Sequence, residues 1–375
     1  MRIGIDGIHI SRNMKGIGRV ETSIVETLAS HTFLHEFVVL TDKEHSQLGL
    51  PESDSISYYV DQCRTLLEWE QIRLPRAIRK LKIDCLITLA DRIPHSSLCP
   101  IIMYLFEIPE IRRRLSIERG SAGRYQLFSD LFTKFVFPMS LKKSRYIAVS
   151  SEFTRKELTS NYQVDPSKIS VVPAAISKRF FCSSIDQFHR SSMQHRFDAS
   201  DGYVVSFSSG DVRENIEISL CAFAEANISK NIKMILVGDV YPQNIINQLD
   251  LQDRVLSVGY VSDDELLDIY RGADAYLDAS LYEGFGLQVL EAMACGVPVL
   301  CSEIDSLLEI VGESALTYNC TDVVGFSKGL ELVFNSNIQS KQMIDKGLSL
   351  ASQYSWLDTV MNLIELCELS SNSID

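Results

Sequence analysis

This chain contains no run of about 18 or more apolar residues, so it offers no candidate for a membrane-spanning helix. Its first ten residues, MRIGIDGIHI, are interrupted by Asp6 and His9 and lack the apolar core of an export signal, which makes the cytoplasm the expected location. The nine cysteines form no C-x-x-C pair, and their odd number and scatter fit reduced, mostly buried thiols, with neither disulfides nor zinc expected. A basic motif interleaved with aromatics is missing, and a net charge of −13 opposes binding along a phosphate backbone, so nucleic acid is not an expected partner. One further absence concerns dinucleotides. Lys15-Gly16-Ile17-Gly18-Arg19 would need a third glycine where Glu21 stands, which argues against a nicotinamide enzyme.

What is present points to two α/β domains. A length of 375 residues exceeds what one core usually organises, and 46% hydrophobic content suffices for two. Apolar, β-rich runs at 2–5, 37–40, 85–88, 101–105, 146–149 and 169–172 alternate with helical patterns in the first half. The second half repeats the scheme, with runs at 203–207, 233–237, 255–258, 275–277 and 297–301 and helices at 216–226, 263–271 and 287–295. Short strands alternating with helices predict doubly wound parallel sheets whose ligands bind at the carboxyl ends of the strands. Residues 1–180 form the expected first domain, the Ser-, His- and Gln-rich stretch 181–200 the linker, and 201–355 the second domain. Residues 356–375, opened by Trp356, are an amphipathic helix with a frayed end from Ser370. Charge divides along the same line. Residues 1–180 hold 26 Lys and Arg against 20 Asp and Glu, and residues 181–375 hold 10 against 29, or +6 and −19. The first half therefore suits an anionic surface or acceptor, and the second is repelled from one.

The stretch 280–299, SLYEGFGLQVLEAMACGVPV, carries the chemistry. Glu283-Gly284-Phe285-Gly286 favours an exposed turn with free backbone N–H groups, and Leu287 opens a helix that Gly296 and Pro298 end. A helix start attracts a phosphate, and Glu291, one turn inside, presents an acceptor to hydroxyls beside it. Carboxylates before and after the turn can thus hold two sugars on either side of a diphosphate. An ordinary strand-to-helix turn is the simpler reading of Glu-Gly-x-Gly taken alone.

The whole string resembles the E-x7-E signature of retaining glycosyltransferases of family 4, which have the GT-B fold of two Rossmann-like domains facing a central cleft. The resemblance implies that Glu283 contacts the donor sugar, that Glu291 contacts the ribose, and that the turn Gly284, Phe285, Gly286 and Leu287 lies against sugar and phosphate. It extends to Gly16 and Gly18 in GIGR, to Trp69-Glu70-Gln71 with Leu74-Pro75, to Val149-Ser150 with Phe153-Thr154, to ISVVPAAISKRFF at 169–181, and to 206–315. GIGR and the Trp69 block are similar to those of O-antigen mannosyltransferases. The last helix is similar to the segment that in this family crosses back to the first domain.

Three positions depart from the pattern. Arg213-Glu214-Asn215 stands where the family has Arg-Lys-Asn, so Arg213 remains for the β-phosphate while an acid replaces the second cation, which Arg19 or Lys15 would have to supply. A surface Arg-Glu pair without function is the plain alternative. Leu105-Phe106-Glu107 replaces a His-Asp, leaving Glu107 as the nearest acceptor-side base or the mere start of a loop. Gln288 stands where relatives have Pro, a matter of helix entry. His9, beyond the first strand, is the other titratable group near a strand end, where a lone His is usually structural.

The resemblance implies front-face displacement with retention, needing no metal and no cofactor beyond a GDP- or UDP-sugar donor, and no Asp-x-Asp occurs in the chain. The expected partners are the nucleotide-sugar and a glycan or lipid-linked acceptor. Phe128, Leu131, Phe132, Phe135, Val136 and Met139 recur at steps of three and four beside Arg112, Arg113, Arg114, Lys142, Lys143 and Arg145. Such a face either packs in a core or touches an anionic membrane peripherally at its inner surface. Two other functions fit the motifs: a nucleotide-sugar-binding protein that has lost catalysis, and a nucleotide-sugar epimerase.

Overall fold

The computed structural model describes residues 1–12, 16–109, 124–181 and 187–371. Lys15, Arg112, Arg113, Arg114 and the side chains of Phe128, Leu131 and Phe132 lie outside the described residues. Among those described, the chain divides into two compact units. The first runs from the N-terminus through Ala175 and takes the chain back from Ser355, and the second is Ile176–Tyr354.

In the first unit the apolar runs become β1 (Arg2–Asp6), β2 (Glu36–Thr41), β3 (Ile56–Val60), β4 (Cys85–Thr88), β5 (Ile101–Leu105), β6 (Tyr146–Val149) and β7 (Ile169–Val171). They form one parallel sheet in the order β3-β2-β1-β4-β5-β6-β7. Every residue of β4 and β5 is buried, as expected of parallel strands covered on both faces, and this is why they read as unbroken apolar runs. The last helix, Trp356–Ser371, belongs to this unit. It packs on β4 and on the helix Ile17–Ser30, and its Thr359 hydroxyl donates to the Pro173 carbonyl at 2.7 Å. Ser370, expected to be frayed, is fully buried with its hydroxyl 3.5 Å from Cys85 Sγ, because the helix runs two residues past Leu369, where its apolar pattern ends.

The second unit repeats the plan with β8 (Tyr203–Phe207), β9 (Lys233–Val237), β10 (Val255–Gly259), β11 (Ala275–Asp278), β12 (Val299–Ser302) and β13 (Leu316–Tyr318), all parallel, in the order β10-β9-β8-β11-β12-β13. Side chains alternate between its faces. Val204, Met234, Leu277 and Leu300 pack with Leu220, Phe223, Phe326 and Leu330 from the helices Ile216–Glu225 and Val323–Asn335. Tyr203, one residue earlier, donates its hydroxyl to the Ile269 carbonyl of the helix Asp263–Gly272 at 2.7 Å. Within the stretch read as a linker, the helix Gln187–Arg196 packs on this same helix, with Met193 buried and Arg190 paired to Asp274.

The sequence reading omits β3 and β13. Both close a sheet edge, where a strand is covered less and needs fewer apolar residues: ISYYV and LTY are largely half-buried. On the helix Arg124–Lys143, Phe137 and Leu141 enter the core while Phe135 and Met139 stay exposed.

Candidate active site

The order of the second sheet reverses at β8. From there the chain moves outward through β9 and β10, then returns to lay β11 on the opposite side, leaving a crevice between the carboxyl ends of β8 and β11. A pocket lies there, lined by Ser206 and Phe207 of β8, by Tyr276, Leu277 and Asp278 of β11, by Glu214, Ser280 and Glu283 from the segments that follow these strands, and by Gln288 at the start of the next helix.

Two loops shape it. The first leaves β8 at Ser208 and is tied to the end of β9: Val240 N–H donates to Ser208 O at 3.0 Å, and Ser208 Oγ donates to Val240 O at 2.8 Å. Gly238 makes this approach possible, since at its φ of +134° a Cβ would stand 2.4 Å from the Ser208 carbonyl oxygen. The loop then turns through Asp211, which accepts from the Arg213 backbone N–H at 3.0 Å and from the Arg213 guanidinium at 2.7 Å. Glu214 folds back on Ser209, accepting from its N–H at 2.7 Å and its hydroxyl at 2.6 Å. Asn215, buried in a left-handed conformation at φ +51°, closes the loop by donating to the carbonyls of Ala279 at 3.0 Å and Cys320 at 2.8 Å.

The second loop leaves β11 at Asp278, which accepts from Ser280 N–H at 3.0 Å. Leu281 N–H then donates to Arg213 O at 2.7 Å and joins the two loops. Glu283 accepts from Ser280 Oγ at 3.4 Å, and its backbone carbonyl accepts from Ser306 Oγ at 2.6 Å. Phe285 turns its ring into the unit, edge-on to Tyr354 with centroids 5.8 Å apart, so only its backbone is available to a ligand. Gly286 (φ +86°) opens the helix Leu287–Ala294, and Glu291 is buried within its second turn.

Of the sequence-predicted site residues Glu283 lines this pocket, Arg213 is joined to the second loop through its carbonyl, and the turn 284–287 and Glu291 follow Glu283 in the chain without lining the pocket. Gly16, Gly18 and Glu107 belong to the first unit. Gly16 takes φ +74° before the helix Ile17–Ser30, Gly18 lets that helix press on His9, where a Cβ would stand a tight 3.1 Å from the His9 carbonyl oxygen, and Glu107 follows the end of β5. Of the three acidic residues that line the pocket, two are absent from the sequence-predicted site. Asp278, ending the apolar AYLD, is marked only by an acid at a strand's carboxyl end, and Glu214 registered as the loss of a lysine rather than as pocket lining. Burial pushes the carboxyls of both upward from their ordinary range, each against the hydrogen bonds it accepts. Among the described residues no group of three or more His, Cys, Asp or Glu is placed to hold a metal ion.

The first sheet has a matching reversal at β1, occupied by buried polar groups. Asp6 accepts from Trp69 Nε1 at 2.9 Å and Thr88 Oγ1 at 2.9 Å, His9 pairs with Glu21, and Glu70 pairs with Arg92 at 2.9 Å. The Trp69-Glu70-Gln71 block therefore supports the end of β1, and His9 has a structural partner.

A family model described as glycosyl transferases group 1 matches residues 188–349, the part of the chain that holds this pocket. The match covers less than half of the chain. Over 237 residues it is 27% identical to O-antigen chain mannosyltransferase B of Escherichia coli, a match covering 61% of this chain and 62% of that protein, so the chain spans less than two-thirds of that relative. Among solved structures it is similar to WaaG, a glycosyltransferase involved in lipopolysaccharide biosynthesis, with a TM-score of 0.74 at 12% identity over 100% of both chains. It is also similar to HepE from Anabaena in complex with UDP-glucose, with a TM-score of 0.70 at 17% identity over 99% of this chain and 100% of that one. The two Rossmann-like sheets are those of the GT-B fold. Among the described residues no helix is long and apolar enough to cross a membrane.

Proposed function

We propose that this chain is a retaining hexosyltransferase that moves a sugar, mannose from GDP-mannose as the first choice, from a nucleotide-sugar to a lipid-linked or polysaccharide acceptor. The observation that carries the reading is the pocket between the carboxyl ends of β8 and β11, which has Glu283 in its wall and the start of the helix Leu287–Ala294 beside it. In this reading Glu283 accepts from donor sugar hydroxyls, Glu291 serves the ribose, the amides of 284–287 meet sugar and phosphate, and Arg213 faces the β-phosphate. Gly16 and Gly18, read as donor-contacting, and Glu107, read as the acceptor-side base, are residues of the first unit. The diphosphate itself helps deprotonate the acceptor, so the reading calls on no glycosidase-type nucleophile and acid pair. The mannosyltransferase relative and the UDP-glucose held by HepE support the sugar-nucleotide class. Exposed Phe135 and Met139 beside Lys142 and Lys143 support peripheral contact with an anionic membrane from the cytoplasmic side.

The test is transfer of labelled sugar from GDP-mannose, UDP-glucose and related donors to lipid-linked glycan, with the anomeric configuration of the product read by NMR. Glu283→Ala is expected to lower transfer by about 100-fold or more with an unchanged circular dichroism spectrum. Undiminished transfer by the folded variant would remove Glu283 from the site. A second reading, a nucleotide-sugar-binding protein without turnover, is favoured by the acid at Glu214, and binding of a donor without any product would select it.

A further inference from the structure

Glu214 does more than fail to be a lysine. The loop that leaves β8 presents a backbone N–H and a hydroxyl, both from Ser209, beside the crevice where an open α/β sheet receives its ligand. Gly210 follows at φ +83°, a left-handed turn just after the two donors, and a backbone N–H paired with a hydroxyl is a donor set that suits an anionic oxygen. Both donors are already taken, at 2.7 and 2.6 Å, by the two oxygens of one carboxylate, and that carboxylate lines the pocket.

We infer that Glu214 is an internal competitor for the donor diphosphate, its carboxylate holding the Ser209 anion seat and setting the affinity with which a nucleotide-sugar can enter. The inference rests on the donor-site reading above. The local charge balance agrees with it. Arg213, next in the chain, is bound by Asp211, while Asp278 from β11 and Glu283 from the following turn face the same pocket, so a diphosphate entering beside an ionised Glu214 meets several carboxylates. Burial pushes the Glu214 carboxyl upward, so lowering the pH neutralises it earlier than an exposed glutamate and weakens the competitor.

Calorimetric titration with GDP-mannose and UDP-glucose between pH 5.5 and 8.5 tests this, because the diphosphate diester of a nucleotide-sugar keeps its charge across that range. Wild-type affinity is expected to rise as the pH falls. Glu214→Gln is expected to bind about tenfold more tightly at pH 8 and to lose most of that pH dependence, with Asp278 responsible for any remainder. Glu214→Ala, which frees both Ser209 donors, must shift affinity in the same direction and guards against a folding defect of the first variant. Wild-type affinity and pH slope retained in both variants would overturn the inference and leave the donor site standing. Absence of binding by wild type and by both variants would overturn the donor-site reading and this inference with it.

Discussion

Replacing Glu21 with glutamine removes one charge from a buried pair in the first unit while keeping its shape. Glu21 is fully buried on the helix Ile17–Ser30, pairs with His9 through one oxygen and accepts from the Ile10 N–H through the other at 3.2 Å. At His9, burial works against the charged ring, but the charge and hydrogen bond of Glu21, with Asp6 and Asp91 behind them, outweigh it and lift the pKa from 6.5 to about 9. At Glu21 burial prevails over the pull of His9, and the carboxyl rises from 4.5 to about 7. Both folded pKa values therefore exceed the unfolded ones, and each group binds its proton more tightly in the folded chain. The stabilisation from His9 is complete below 6.5 and is lost as the pH rises through about 9, a loss of about 3 kcal/mol. That from protonated Glu21 is complete below 4.5 and is lost through about 7. Glutamine abolishes the second loss and, by removing the main charge that holds the proton on His9, most of the first. Urea unfolding followed by tryptophan fluorescence reads this unit directly, since both tryptophans, Trp69 and Trp356, lie in it. Between pH 6.5 and 9 the wild type should lose about 3 kcal/mol and Glu21→Gln about 1 kcal/mol or less. Imidazole NMR should move the His9 titration from near 9 to 6.5 or below. Parallel stability curves, together with an unmoved His9 midpoint, would refute the argument.

Two further substitutions probe the loops of the pocket. Asn215→Ala removes the donors to Ala279 O and Cys320 O and leaves alanine in a left-handed conformation, so about 2–4 kcal/mol of stability should go, and thermal unfolding showing under about 0.5 kcal/mol would mean that water replaces both bonds. Gly238→Ala places a Cβ 2.4 Å from Ser208 O at φ +134° and should cost at least about 2 kcal/mol and weaken donor binding, whereas wild-type values for both would show that the tie between β8 and β9 yields freely.

Local order was legible in the residues themselves. The apolar runs of β1, β4, β5, β8 and β11 are recognisable because a strand buried on both faces needs no polar alternation, and Glu283 to Gly286 announces a turn because glycine favours a backbone that other residues avoid. From these the sequence by itself determined two doubly wound sheets and a string of residues facing one ligand class. Tertiary structure alone decided where the strand order reverses, and hence which loop ends face one another. The contacts that did so join residues far apart in the chain: Leu281 to Arg213, Asn215 to Cys320, Trp69 to Asp6. Periodicity describes one element at a time and carries no record of such pairings. It could therefore present Glu214 as a lost lysine and His9 as a lone histidine, while packing gave the first a seat on Ser209 and the second a buried partner in Glu21.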